Sequence, residues 1–200
     1  MNAHVGIPHP LSDKLPYAWP DVRKYKLRMS DYLLLDEAGT FEGHETELVD
    51  GDVIVISPEW IPHMRVKDEL AYQLRRSIER KKLDLLVGTG GSVALSEVNT
   101  PRPDVIVARQ FAGDRSVKLD WVSLLAEVSS STLTFDIGKK AVLYARFGIP
   151  EYWVADVNAR LIIQMWSPLG DAYRERREVP FGKRITAATI DGLTINTMAL

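Results

Sequence analysis

Cysteine is absent from the 200 residues. That excludes disulfides, thiolate metal ligands and cysteine nucleophiles, and it suits a reducing compartment. No apolar run approaches the roughly 20 residues needed to span a bilayer, so no membrane association is expected. The opening MNAHVGIPHP has neither the basic head nor the apolar stretch of a signal peptide, which makes a cytoplasmic location the expectation. An excess of charge is missing too: the net charge is −2, which offers no global attraction to nucleic acid and leaves any such binding to a local basic face. The histidines show no metal-ligand spacing. No G-x-x-x-x-G-K-[ST] loop, dinucleotide fingerprint or G-x-S-x-G elbow is present, and no internal repeat.

What is there is an ordinary globular composition, 46% hydrophobic and 26% charged, with enough chain for one domain and a real core. Residues 1–25 hold Pro8, Pro10, Pro16 and Pro20. Prolines at that density argue against regular structure, and the stretch reads as an N-terminal arm lying on the domain or on a partner. MSDYLLLDEAG predicts a short helix with Ser30 as its N-cap and Gly39 near its end. ELVDGDVIVI places apolar runs on both sides of Asp50-Gly51, the favoured pair for a type I′ hairpin. A two-residue loop there sets Val49 opposite Asp52 and Glu47 opposite Ile54.

In HMRVKDELAYQLRRSIERKK, Val66, Leu70, Leu74 and Ile78 recur along one side, with Ala71 beside them, as in an amphipathic helix. Arg75, Arg76, Arg80, Lys81 and Lys82 crowd its second half, where cations suit the helix dipole. They read either as a solvated face or as contacts to a nucleic-acid backbone, with Arg174, Arg176 and Arg177 as a second, weaker patch. LDLLVG, GSVAL, RPDVIVAR and WVSLLAEVSS read as strands. DIGKKAVLYARFG reads as a second helix closed by Gly148, with Pro150 following. EYWVAD, RLIIQMW and AYRERREV are further strands, the last two paired. This order predicts an α/β or α+β layer fold whose sheet is covered by the two longer helices.

One strand poses a chemical problem. In LLAEVSSST, Leu124, Leu125, Ala126 and Val128 belong in a core, yet Glu127 sits among them. Burying an unpaired carboxylate costs several kcal/mol or more, so something must compensate it. Glu47 and Asp104 also occupy strand positions, and Lys139 and Lys140 follow at the head of the second helix. Carboxylates on neighbouring strands can point into one small volume. A hard divalent cation such as Mg²⁺ takes that arrangement while keeping several waters. The ion offsets the buried charge, polarises a phosphodiester and lowers the pKa of a bound water. A nearby lysine can orient that water or stabilise the charge that develops on phosphorus.

PRPDVIVAR, followed by LLAEVSSSTLTFDIGKKAVLYARFGIPEYWVAD, resembles the Uma-two family of restriction endonucleases, part of the PD-(D/E)xK nuclease superfamily. ETELVDGDVIVISP and PHMRV fit the same pattern, so the resemblance runs from about residue 26 to the C-terminus and leaves the arm outside. It implies a restriction-endonuclease-like mixed sheet flanked by helices over residues 26–200, and a metal-dependent nuclease using Mg²⁺ or Mn²⁺ on nucleic acid, with DNA the expected substrate. It makes Asp104 the metal-binding aspartate, Glu127 the second acidic ligand and Val128 a donor of a backbone carbonyl. Glu47 matches an upstream acidic position. Ser129 stands where the superfamily's usual motif has lysine, and Lys140 on the following helix is the position that matches instead. Two strands of a duplex call for two sites, so a homodimer is an expectation as well.

Other readings of the same residues stay open on sequence alone. Asp104 could cap a turn, Glu127 could face water from an edge strand, and Glu47 and Lys140 could be solvated surface charges. His63 reads as a capping or packing residue, Asp136 as a helix cap, and Tyr144, Tyr152 and Trp153 as structural. A non-catalytic nucleic-acid-binding or protein-interaction module on the same fold is the alternative to an enzyme.

Overall fold

The computed structural model describes residues 24–111 and 115–200. The arm read over residues 1–25 lies outside them, apart from Lys24 and Tyr25. The chain forms α1 (Met29–Glu37), a hairpin of β1 (Glu45–Val49) and β2 (Asp52–Ile56), and the long helix α2 (Ile61–Lys81). Then come β3 (Leu86–Thr89), β4 (Val93–Ala94), β5 (Val105–Ala108), β6 (Val117–Lys118) and β7 (Val122–Ser129). After β7, α3 (Leu133–Phe135), a π-helical stretch (Asp136–Lys140) and α4 (Ala141–Arg146) run on as one helix. It leads into β8 (Glu151–Asp156), β9 (Leu161–Leu169), β10 (Ala172–Pro180), β11 (Arg184–Thr186) and β12 (Thr194–Asn196).

Six strands make the central sheet in the order β10-β9-β8-β7-β5-β3. Only β7 and β8 run parallel within it, joined by the α3–α4 crossover, and the other neighbours are antiparallel. The period-2 alternation of the central strands sorts their side chains to two faces. On one face Val105, Val107, Leu124, Ala126 and Val128 pack with Leu70, Leu74 and Ile78 of α2. On the other, Ile106, Ala108, Leu125 and Val154 pack with Leu143 and Tyr144 of α4. Both faces are covered, so β5 is buried at every position and its sequence is apolar without alternation. The sheet covered by helices on both sides is the mixed α/β architecture expected from the sequence. No helix among the described residues is long and apolar enough to cross a membrane.

The Asp-Gly hairpin forms in the expected register, with Val49 opposite Asp52 and Glu47 opposite Ile54. Asp50 and Gly51 both have positive φ, 50° and 72°, as a type I′ turn requires. A Cβ added at Gly51 would lie 2.7 Å from the Lys26 Cβ. Gly51→Ala should therefore lower unfolding stability by about 2 kcal/mol, read from urea denaturation, because strain and the clash act together.

Two local readings need correction, at the starts of the first and second helices as read, and two features go beyond them. Arg28, not Ser30, is the N-cap residue of α1. Its backbone N–H bonds to the Asp31 carboxylate at 2.9 Å, and that contact sets the helix start. The GSVAL segment does not extend the main sheet, since β4 pairs in parallel with the short β6. The second helix begins at Leu133, before Asp136, and contains the π-helical stretch. Within that stretch the Ala141 N–H bonds to the Asp136 carbonyl five residues back. The C-terminal hairpin of β11 and β12 has no counterpart in the sequence reading.

Candidate active site

The site is an open pocket of ≈ 110 Å³ where the β1–β2 hairpin, the residue before β5, β7, the start of α2 and the α3–α4 segment meet. Glu47, Asp104, Glu127, Val128 and Lys140, the residues singled out in the sequence, all line it. Glu47 projects from the central position of β1, and its Oε2 accepts the Arg102 N–H at 2.9 Å. Asp104 immediately precedes β5, and its Oδ2 accepts the Val128 N–H at 2.7 Å. In a strand, N–H and C=O of one residue point toward the same edge, so the Val128 carbonyl is on the Asp104 side as well. The β5–β7 ladder stops at Val105 opposite Ala126, which frees Val128 for this contact.

Lys140 ends the π-helical stretch. Its Nζ lies 2.9 Å from Glu127 Oε1 and 3.1 Å from Glu47 Oε1. One turn later, the Tyr144 hydroxyl donates to the same Glu127 oxygen at 2.9 Å. These groups are nearly enclosed: Glu47 is 2% exposed, Glu127 4% and Lys140 5%. Burial alone would lower the Lys140 pKa, but the charges of Glu127 and Glu47 outweigh it and hold the ammonium protonated above its ordinary range. Burial pushes the Glu127 carboxyl well up. Lys140 opposes that rise, and the neighbouring carboxylates of Asp104, Asp136 and Glu47 add to it.

Asp136 lines the same pocket and is buried. It does not cap a helix. It lies inside the π-helical stretch and accepts the hydroxyls of Ser129 at 2.5 Å and Thr132 at 2.6 Å. Burial raises its pKa, and those two hydrogen bonds pull the other way. Ser129, which stands where the resemblance led us to expect a lysine, thus holds Asp136 in place.

His63 does not cap α2 either. It is the third residue of that helix, and its Nε2 lies 3.4 Å from Asp104 Oδ2. Its Nδ1 is buried without a hydrogen-bond partner, 3.9 Å from Glu59 Oε2. Burial lowers the imidazole pKa, but the Asp104 hydrogen bond and charge, with the charge of Glu59, bring it above the usual value. Glu59 in turn pairs with Lys67. Glu59, His63 and Asp104 each offer a ligand atom within 4.8 Å of the others. The sequence reading missed Glu59 and the His63 contact. The PHMRV segment was visible as part of the pattern, yet nothing in it says that the first turn of α2 lands beside the start of β5.

The donor set fits a hard divalent cation. Glu47 and Glu127 hold one ammonium between them, Asp104 and Asp136 line the same pocket, and one imidazole lines it as well. Their negative charge is undercompensated by protein groups alone. The hydrogen bonds of Asp104 fall on Oδ2 and those of Glu127 on Oε1. Oδ1 and Oε2 are therefore without a donor among the described residues, two hard oxygens beside a backbone carbonyl, as Mg²⁺ or Mn²⁺ prefers.

Comparison with known proteins bears on the family and the fold. The model of the Uma2 family, described as "Putative restriction endonuclease", matches residues 29–198. A crystal structure described as that of "a putative nuclease belonging to DUF820" from Anabaena variabilis ATCC 29413 has a similar fold. It is 12% identical, with a TM-score of 0.62 over 80% of this chain and 89% of that one. Comparison with curated proteins gave no match.

Proposed function

The chain belongs to the Uma2 family of restriction endonucleases, and from that premise we propose that it is a metal-dependent nuclease that hydrolyses phosphodiester bonds in DNA. The observation that carries the reading is the buried Lys140 ammonium held between Glu47 and Glu127, in a pocket that Asp104 and Asp136 also line.

Asp104 and Glu127, with the Val128 carbonyl, would hold Mg²⁺ or Mn²⁺, and His63 and Glu59 stand on the far side of Asp104. Such a cation, once bound, polarises a phosphodiester and makes a water acidic enough to attack. Lys140 remains an ammonium, so it orients and stabilises and does not act as the base. Of its three N–H groups two are spent on Glu127 and Glu47, and the third is available to a water or a phosphate oxygen. Glu47 shares the ammonium with Glu127 and is fixed by the Arg102 N–H, so it supports the site through Lys140. Residues 26–200 are read as one restriction-endonuclease-like domain, supported by the single central sheet. A homodimer, one site for each strand, belongs to the same proposal.

A calorimetric Mn²⁺ titration tests the metal site. Wild type should bind, and Asp104→Ala should lose at least tenfold in affinity. Equal binding by the two would remove Asp104 as a ligand. Plasmid nicking in Mg²⁺ tests the reaction. Wild type that binds plasmid and never cuts it would select a non-catalytic binder over the nuclease.

A further inference from the structure

A second cavity lies away from this pocket. It is a groove of ≈ 560 Å³ between the second half of α2 and the β11–β12 hairpin. Arg76, Arg80 and Lys81 enter it from the helix, and Arg184 enters from β11. We propose that this groove binds the phosphate backbone of the nucleic acid at a distance from the bond being cut. The choice of nucleic acid among polyanions rests on the nuclease reading.

Charge bookkeeping separates this groove from an ordinary solvated face. All four cations are exposed. Among the described residues none of them has a carboxylate within 4.0 Å, whereas Lys26, Lys67, Arg115, Arg146 and Arg176 all do. Of the other basic patch read from the sequence, Arg176 and Arg177 are spent internally. Arg176 pairs with Glu178, and Arg177 bonds to Gln164 and the Thr186 carbonyl. In a chain of net charge −2, these four cations converge on one groove without a carboxylate partner among the described residues. Apart from Ile195 the remaining lining is polar, and the Asn196 amide is available as a further donor.

The groove is also built to hold its shape. Ser77 Oγ donates to the Thr194 carbonyl at 2.7 Å and accepts the Thr194 N–H at 3.2 Å, which locks the helix to the hairpin along the groove floor. From His63 at the pocket to Arg80 is a run along one straight helix. At 1.5 Å per residue it is about 25 Å, or roughly seven base steps of 3.4 Å. A short duplex is long enough to span that separation. A phosphate-spaced polyanion suits four separated cations better than a single small anion does.

The test is anisotropy of a labelled 24-base-pair duplex in EDTA, which prevents cutting. Four proteins are compared: wild type; a groove variant carrying Arg76, Arg80, Lys81 and Arg184 all changed to Gln; a matched variant with Lys24, Arg109, Lys118 and Arg174 changed to Gln; and Lys140→Met. The groove variant should bind at least tenfold more weakly than wild type. Its plot of log affinity against log salt should be shallower by up to about 3.6, since each of four phosphate contacts contributes about 0.9. The matched variant should lose less than threefold, and the groove variant should bind Mn²⁺ as wild type does. Equal losses in both Gln variants, or none in either, would overturn the proposal. So would an equal loss of binding to poly-glutamate, which would assign the groove to an acidic protein. Lys140→Met separates the two readings. If it cuts as well as wild type the nuclease assignment of the pocket fails, while an unchanged duplex affinity of the groove variant sinks the groove alone.

Discussion

Lys140→Ala should cripple cleavage and also cost about 3–5 kcal/mol of stability, the usual penalty when one member of a buried ion pair is removed. The two losses have one cause. Lys140 is the ammonium between Glu47 and Glu127, and all three are nearly enclosed. Without it, two carboxylates face each other and two further ones, and they must either take up protons or repel. Urea denaturation and plasmid cutting read the two effects separately. Lys140→Ala with Glu127→Gln should recover much of the stability, because the charge left uncompensated is smaller, and none of the activity. Cleavage by folded molecules should fall by at least 10²–10³-fold, the scale for losing one group that stabilises developing charge. A Lys140→Ala protein that melts like wild type would show that the pocket does not need this compensation, and the assignment of Glu127 as a cation ligand would lose its basis.

The second large effect is expected at Glu151, far from any chemistry. Its carboxylate is fully buried, and four neutral donors saturate it. Oε1 accepts the Trp153 indole N–H and the Gln164 amide, each at 2.6 Å. Oε2 accepts the Thr189 N–H and hydroxyl, each at 2.8 Å. This one side chain fastens the loop between β11 and β12 to the central sheet. Glu151→Ala leaves those donors unsatisfied, and at 1–3 kcal/mol for each buried orphan, reduced by relaxation, the loss should be about 4 kcal/mol. Glu151→Gln keeps one acceptor and should lose roughly half as much. Activity per folded molecule at low temperature should be unchanged in both, which distinguishes a structural hub from a member of the site. A drop in cleavage without a drop in stability would contradict that placement.

Glu151 also shows what a sequence can and cannot disclose. It belongs to the PEYW segment that helps carry the family resemblance, but nothing in the sequence singles it out. Its role was not legible, because Trp153, Gln164 and Thr189 reach it from three places along the chain. The hairpin register was legible because Asp50-Gly51 permits few turn geometries, and α2 because its apolar stripe has one period. Glu47, Asp104 and Glu127 stood out as carboxylates in apolar strands, and Lys140 was chosen over Lys139 by the resemblance. Lys139 does not line the pocket. Glu59 and His63 were not legible, since the first turn of α2 meets β5 only through the packing of helix on sheet. The start of α1 was misjudged because a carboxylate three residues into the helix outweighed a nearby serine.

The wide turn ahead of Lys140 ties the two ends of the pocket to a whole-number constraint. Its i to i+5 bond accommodates one residue more than a regular helix would. Excise that residue and the helix closes up, turning one end against the other by about 100°. Tyr144 and Asp136 could then no longer serve the same cleft. Length variation among relatives should accordingly spare this turn and collect in the outer hairpins, where an added residue displaces nothing the chemistry uses.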